Sequence, residues 1–222
     1  MPKKALLFAL GVIITGAGIV AAALLQWSSV SPAAFLVCLG LAVLAATFKV
    51  PVPGMTGTIS PSVVPVLFAV GTMSWQETVV ISALAGLTQC LWRPKRAPAK
   101  VQILFNGANF ALSGGVAYSV SHRVAGSAPY MTLLVAAIVF QLVDTLTVST
   151  VLSLLQGESL RSIWRNCHLW SFPYILAGGA FAAVWVQSDL PASFGITVLC
   201  ATAMYLMSTF YREIVERTGR VS

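Results

Sequence analysis

Residues 129–155 read PYMTLLVAAIVFQLVDTLTVSTVLSLL, and Asp144 is the only charge among them. A hydrocarbon core about 30 Å thick is crossed by about 20 helical residues. This stretch meets that length and opens on Pro129, which suits the first turn of a helix. It therefore predicts a helix long enough to span a membrane, with one ionisable group near its middle. The rest of the chain is read outward from it.

The whole sequence shares its character. Of 222 residues, 58% are hydrophobic and 9% are charged, where a soluble domain carries about 25% charged residues. The few charges are clumped between long uncharged runs. So sparse a charge supply cannot cover a water-facing surface, which points to helices facing lipid and one another. The fold class expected is an all-α polytopic membrane protein. It comprises one transmembrane helical domain over residues 1–211 and a short charged tail over 212–222.

Five further segments have span character: Ala5–Leu25, Pro32–Phe48, Gln102–Ser121, Leu169–Val186 and Pro191–Tyr211. The start, Met1-Pro2-Lys3-Lys4, resembles a secretory signal, and Ala21-Ala22-Ala23 resembles its cleavage site. The apolar run is longer than the ~7–15 residues of a signal core, so an uncleaved first helix is expected. Ser31 and Pro32 supply an N-cap and a first helical position for the second helix.

Between Lys49 and Arg93 the pattern breaks. Pro51, Pro53, Gly54, Gly57, Pro61 and Pro65 interrupt an uncharged stretch, and each interior proline removes a helical hydrogen bond. The reading is an irregular entry, a short helix over Ser62–Thr72, and a second over Glu77–Trp92. The second opens on the capping-box pattern Ser74-Trp75-Gln76-Glu77. Whether residues 50–73 cross or re-enter is left open. Irregular backbone at membrane depth must be buried in protein or line a cavity, so this segment is expected inside the bundle. The total is six full helices plus a broken pair, six to eight crossings.

The basic residues orient the chain. Alternating the spans from an inside N-terminus puts Lys3, Lys4, Lys49, Arg93, Lys95, Arg96, Lys100, Arg161, Arg165, Arg212, Arg217 and Arg220 on one side. Only Arg123 falls on the other. By the positive-inside rule both termini are expected on the cytoplasmic side. The net charge of +7 then reflects topology and attraction to anionic lipid head groups, with no indication of nucleic acid.

Three polar stripes are expected to face inward. Around Asp144, Gln141 and Thr145 lie on one helical face with Ser149. Gln102, Asn106, Asn109 and Ser113 form a second stripe. Thr78, Ser82, Gly86 and Gln89 form a weaker third. Such residues serve as interhelical glue or line a site, and an intramembrane carboxylate points to function by default. The candidate ligand-binding set is Asp144, Gln141, Asn106, Asn109, Gln89 and Thr145. Glu77 is explained by its capping box, the glycines by close helix packing, and the aromatics near span ends, Trp75, Trp92 and Trp164 included, by interface anchoring.

Other chemistry is unsupported. Cys38, Cys90, Cys167 and Cys200 are dispersed, and His122 and His168 are isolated. No metal site, cofactor or catalytic residue is expected, and no phosphate-cradling, dinucleotide or nucleophile-elbow motif occurs. The chain is read as a non-enzyme.

Two resemblances follow from particular runs. Lys49-Val50-Pro51-Val52-Pro53-Gly54-Met55-Thr56-Gly57-Thr58-Ile59-Ser60, Gln89-Cys90-Leu91-Trp92-Arg93 and Val101-Gln102-Ile103-Leu104-Phe105-Asn106 together resemble membrane modules of bacterial signalling proteins. Those modules precede diguanylate-cyclase or metal-dependent phosphohydrolase domains. The run Tyr211-Arg212-Glu213-Ile214-Val215-Glu216-Arg217 is similar to their juxtamembrane helix. The layout is also similar to the substrate-binding subunits of energy-coupling-factor vitamin transporters. The resemblances imply a module that senses a small or lipidic ligand and signals to a cytoplasmic partner, or a small-solute binding or transport subunit. A structural subunit of a larger membrane complex is the third expectation.

Overall fold

The computed structural model describes residues 1–29, 31–51, 58–94, 97–125, 129–168, 178–180, 182–183 and 186. The expected spans over 169–186 and 191–211 lie almost wholly outside these residues, and the tail over 212–222 lies entirely outside them. Seven helices are described: α1 (Lys3–Leu25), α2 (Pro32–Thr47), α3 (Val63–Thr72), α4 (Trp75–Leu91), α5 (Lys100–Val124), α6 (Pro129–Gln156) and α7 (Leu160–His168). A two-residue strand β1 (Val50–Pro51) pairs antiparallel with β2 (Thr58–Ile59).

Local chemistry sets the boundaries. Ser31 Oγ accepts from the Ala34 amide, and Pro32 occupies the first turn of α2. At α4 the capping box is complete: Ser74 Oγ accepts from the Glu77 amide while the Glu77 carboxylate accepts from the Ser74 amide. Ser29 Oγ also donates to Glu77 Oε1 at 2.6 Å, so this buried carboxylate ties the α1–α2 loop to α4. Its role is structural. At the other end of α4, Arg93 takes a left-handed φ of 37° and its guanidinium stacks over the Trp92 ring.

Helices α1 to α6 run alternately between two ends of the bundle. Gln76 Nε2 donates to the Gln26 carbonyl and Ser74 Oγ to the Ser28 carbonyl, so α4 starts where α1 finishes. Ser60 Oγ donates to the Ala45 carbonyl near the end of α2, and Cys38 Sγ to the Pro65 carbonyl midway along it. The chain therefore leaves α2, turns through β1 and β2, and returns to the same end. From Ser60 to Ser74 it travels antiparallel to α2 to the opposite end. β1 and β2 pair at the end of the bundle where α2 finishes, and residues 60–74 run from that end to the opposite one. Helix α3 needs only ten residues, about 15 Å of rise, because non-helical backbone covers the remaining height.

α3 is the innermost element. Val63, Val64, Pro65, Val66, Leu67, Ala69 and Val70 are buried, and the surrounding core includes Cys38, Ala42, Ile81, Ala85, Leu133, Ala136, Ala137 and Phe140. A helix that is apolar all round belongs inside a bundle; the irregular Pro/Gly entry expected there lies largely outside the described residues. α5 is the hub of the longer helices, packing on α1, α4 and α6. The contacts to α1 and α4 need glycine. A Cβ on Gly16 would lie 2.5 Å from the Ala108 carbonyl oxygen, and one on Gly86 would lie 2.7 Å from that of Asn106.

The outer surface is apolar. Leu7, Ile14, Leu24 and Leu25 of α1, Leu36, Val37 and Leu44 of α2, and Met131, Leu134 and Leu146 of α6 are exposed. Among the described residues, two helices are long and apolar enough to cross a membrane, Lys3–Leu25 and Tyr130–Gln156. Only 22% and 39% of their apolar windows are buried, unlike the core helix of a soluble domain. α2 and α3 are too short for that test. α5 has 25 residues, but its polar stripe and terminal Lys100 and Arg123 dilute its hydropathy. Of the six to eight spans expected from sequence, the described residues show two by length and apolarity alone.

Candidate functional site

The strongest polar contact between helices in the middle of the bundle joins α5 to α6. Asn109 Nδ2 donates to Asp144 Oδ1 at 2.6 Å. The spacing of the α5 stripe places Gln102, Asn106, Asn109 and Ser113 along one face, and burial deepens along it. Gln102 is exposed, Asn106 is half-buried, and Asn109 and Ser113 are buried. The stripe thus runs from the Lys100 end of the bundle to a dry interior. Asp144 is half-buried. Among the described residues its hydrogen-bond partner is Asn109, and no basic side chain pairs with it.

Gln141 and Thr145 are buried, and neither forms a hydrogen bond with Asp144. Thr145 Oγ1 donates to the Gln141 carbonyl at 2.6 Å and accepts from Trp164 Nε1 of α7 at 3.1 Å. The expected common face of α6 therefore divides between two neighbours. Successive helical residues are about 100° apart, so Asp144 reaches α5 while Thr145 reaches α7. Trp164 was expected as an interface anchor, yet its indole N–H turns inward. The signal available for it was the order Arg161, Ile163, Trp164, Arg165. Ile163 is buried and both arginines are exposed, the pattern of a short helix with one docked face.

The α4 stripe is packing. Thr78 Oγ1 donates to the Ser74 carbonyl and Ser82 Oγ to the Thr78 carbonyl, so both hydroxyls are satisfied within their own helix. Ser82 then meets Gly114 of α5, where any side chain would collide. Gln89 is half-buried, one turn beyond the Gly86–Asn106 approach. Neither Gln89 nor Asn106 forms a hydrogen bond to Asp144. Of the six candidate residues, the structure brings Asn109 and Asp144 into one contact and Gln141 and Thr145 into another.

Three buried oxygens have no hydrogen-bond partner among the described residues: Asn109 Oδ1, Ser113 Oγ and Ser149 Oγ. Leaving such a group unpaired costs about 1–3 kcal/mol, and native interiors contain few. Two of the three lie one turn apart on the same face of α5, and Asn109 of that pair is bonded to Asp144. Ser113 was visible in the sequence as part of the stripe but was not among the candidate residues. The described residues contain no group of three His, Cys, Asp or Glu side chains placed to hold a metal ion.

At the bundle's Lys100 end, Lys49 Nζ donates to the Trp92 carbonyl. Partial burial lowers the Lys49 ammonium from its ordinary pKa, opposed by the nearby Cys90. No family model, curated protein or solved structure matches this chain.

Proposed function

We propose that this chain is a non-catalytic, multi-pass protein of a bacterial inner membrane with both termini cytoplasmic. In this reading α1 to α6 all cross, with further crossings beyond α7, for a total of six to eight. The α5–α6 seam binds a small or lipidic ligand, and occupancy is passed to a cytoplasmic partner. The membrane assignment is supported by the exposed leucines and isoleucines on α1, α2 and α6. Contiguous apolar patches of that kind are rare on soluble monomers.

The orientation is supported by charge. Among the described residues Lys3, Lys4, Lys49, Arg93 and Lys100 lie toward one end of the bundle and Arg123 toward the other. The sensory part of the reading draws on the motif resemblance of Lys49–Ser60, Gln89–Arg93 and Val101–Asn106.

The observation that carries the ligand-binding reading is the Asn109–Asp144 contact, with an unpartnered amide oxygen on the same Asn109 side chain. An intramembrane carboxylate held by one neutral amide is costly to keep, and a ligand that uses it offsets that cost. The test is thermal unfolding of the purified chain in detergent against a panel of vitamins, nucleosides and phospholipids. At least one compound raises the midpoint of the wild type but not of Asp144→Asn. No response to any compound, or an equal response in both proteins, contradicts the reading.

A further inference from the structure

We propose that Asp144, Asn109 and Ser113 form a binding site for a monovalent cation between α5 and α6. The proposal rests on the reading of this seam as a ligand site and names the chemistry of the ligand.

The arrangement presents oxygen throughout. Asn109 spends its Nδ2 donor on Asp144 Oδ1, which fixes the carboxamide beside the carboxylate and leaves Oδ1 as an acceptor without a donor. Asn109 is 1% exposed and Ser113 0% exposed, so bulk water does not serve either oxygen. Ser113 Oγ, also unpartnered, lies one helical turn from Asn109 on the same face. Among the described residues no basic side chain neutralises Asp144. What this set lacks is positive charge.

The donor set also limits which cation fits. Amide, hydroxyl and carboxylate oxygens are hard ligands and disfavour soft metals. A calcium ion takes six to eight oxygens, commonly from several carboxylates, and among the described residues Asp144 is the one carboxylate at this seam. One formal negative charge matches one positive charge. The source is either an alkali ion or a primary ammonium group, which share that chemistry. Burial deepens along the stripe from exposed Gln102 through half-buried Asn106, so the approach lies toward the Lys100 end.

The test is thermal unfolding of the full chain in uncharged detergent at constant ionic strength. The salts are sodium, potassium, methylammonium and N-methyl-D-glucamine chloride, the last too large to enter. The midpoint rises saturably with sodium, potassium or methylammonium relative to N-methyl-D-glucamine, and which one separates metal from ammonium. Asp144→Asn abolishes the rise. Ser113→Ala loses no hydrogen bond within the protein, so it folds, and it raises the half-saturating concentration about tenfold, as loss of one ligand contact does.

Equal midpoints in all four salts overturn the proposal. So does a cation response that Ser113→Ala and Asp144→Asn both leave unchanged, since the ion then binds elsewhere or a structural water fills the seam. If a neutral compound stabilises the wild type through Asp144 while no cation does, the cation site fails and the ligand-binding reading stands. If neither acts, both fail.

Discussion

Lys49 and Trp92 are joined by a hydrogen bond from the lysine ammonium to the tryptophan carbonyl, across 43 positions of sequence. The described residues between them start and finish at the same end of the bundle. β1 and β2 turn at that end, the segment containing α3 rises to the opposite end, and α4 descends. The charge pattern led to the expectation of an even number of crossings in this region; the Lys49–Trp92 contact brings the two ends of the region together at one end of the bundle. The short, proline-containing α3 is tolerated because its whole circumference is covered by neighbouring helices.

The Asn109–Asp144 bond has a measurable contribution. Interhelical hydrogen bonds in membranes average about 0.6 kcal/mol, while those to charged groups contribute about 1.5–3 kcal/mol. Asn109 is the one described hydrogen-bond partner of Asp144, so breaking the contact leaves a part-buried polar group unpaired at a cost of about 1–3 kcal/mol. Asn109→Leu lowers stability by about 1–3 kcal/mol in denaturant unfolding in micelles. A double-mutant cycle with Asp144→Leu gives a coupling above about 0.5 kcal/mol; zero coupling means that the contact does not form.

The glycines divide into two classes by their surroundings. A Cβ on Gly16 would overlap the Ala108 backbone, whereas nothing lies within 4 Å of one on Gly18. Gly16→Val forces α1 away from α5 and costs about 1–3 kcal/mol. Gly18→Ala gains about 0.5–1 kcal/mol from reduced backbone freedom in the unfolded chain. Thermal midpoints of the two variants move in opposite directions. Equal shifts contradict the α1–α5 packing.

α7 is held to α6 by the Trp164–Thr145 bond and the buried Ile163. Trp164→Phe keeps the ring and removes the indole N–H, weakening this docking by about 0.5–1.5 kcal/mol. Trypsin then cleaves after the exposed Arg161 and Arg165 several-fold faster than in the wild type. An unchanged cleavage rate shows that the bond does not hold α7 in place.

Much of this architecture was legible one helix at a time. Ser31 with Pro32, Ser74 with Glu77, and the proline pattern of residues 51–65 each state a boundary through local chemistry, and the helices begin where they indicate. Pairing between helices was not legible, because stripe spacing gives a face without naming its neighbour. Asp144 and Thr145 are adjacent in sequence, yet a 100° step sends one to α5 and the other to α7. Thr78 and Ser82 look like a third lining stripe until their hydroxyls are found on their own helix, with Gly114 pressed against Ser82. The tryptophans Trp75 and Trp164 read as interface anchors from position alone, but their indole N–H groups bond to the Gly115 carbonyl and to Thr145. Span counting was obscured for a related reason: the polar face that commits α5 to the interior also lowers its hydropathy.

The crossing of α5 is the point on which the multi-pass reading depends. Single cysteines replace Lys100, Arg123 or Arg161 in a chain whose Cys38, Cys90, Cys167 and Cys200 are changed to serine. They are then probed with a membrane-impermeant maleimide on spheroplasts before and after lysis. The account predicts labelling of Arg123→Cys in intact spheroplasts, and labelling of Lys100→Cys and Arg161→Cys only after lysis. Equal accessibility of Lys100→Cys and Arg123→Cys in intact spheroplasts would place both ends of α5 on one side and contradict it.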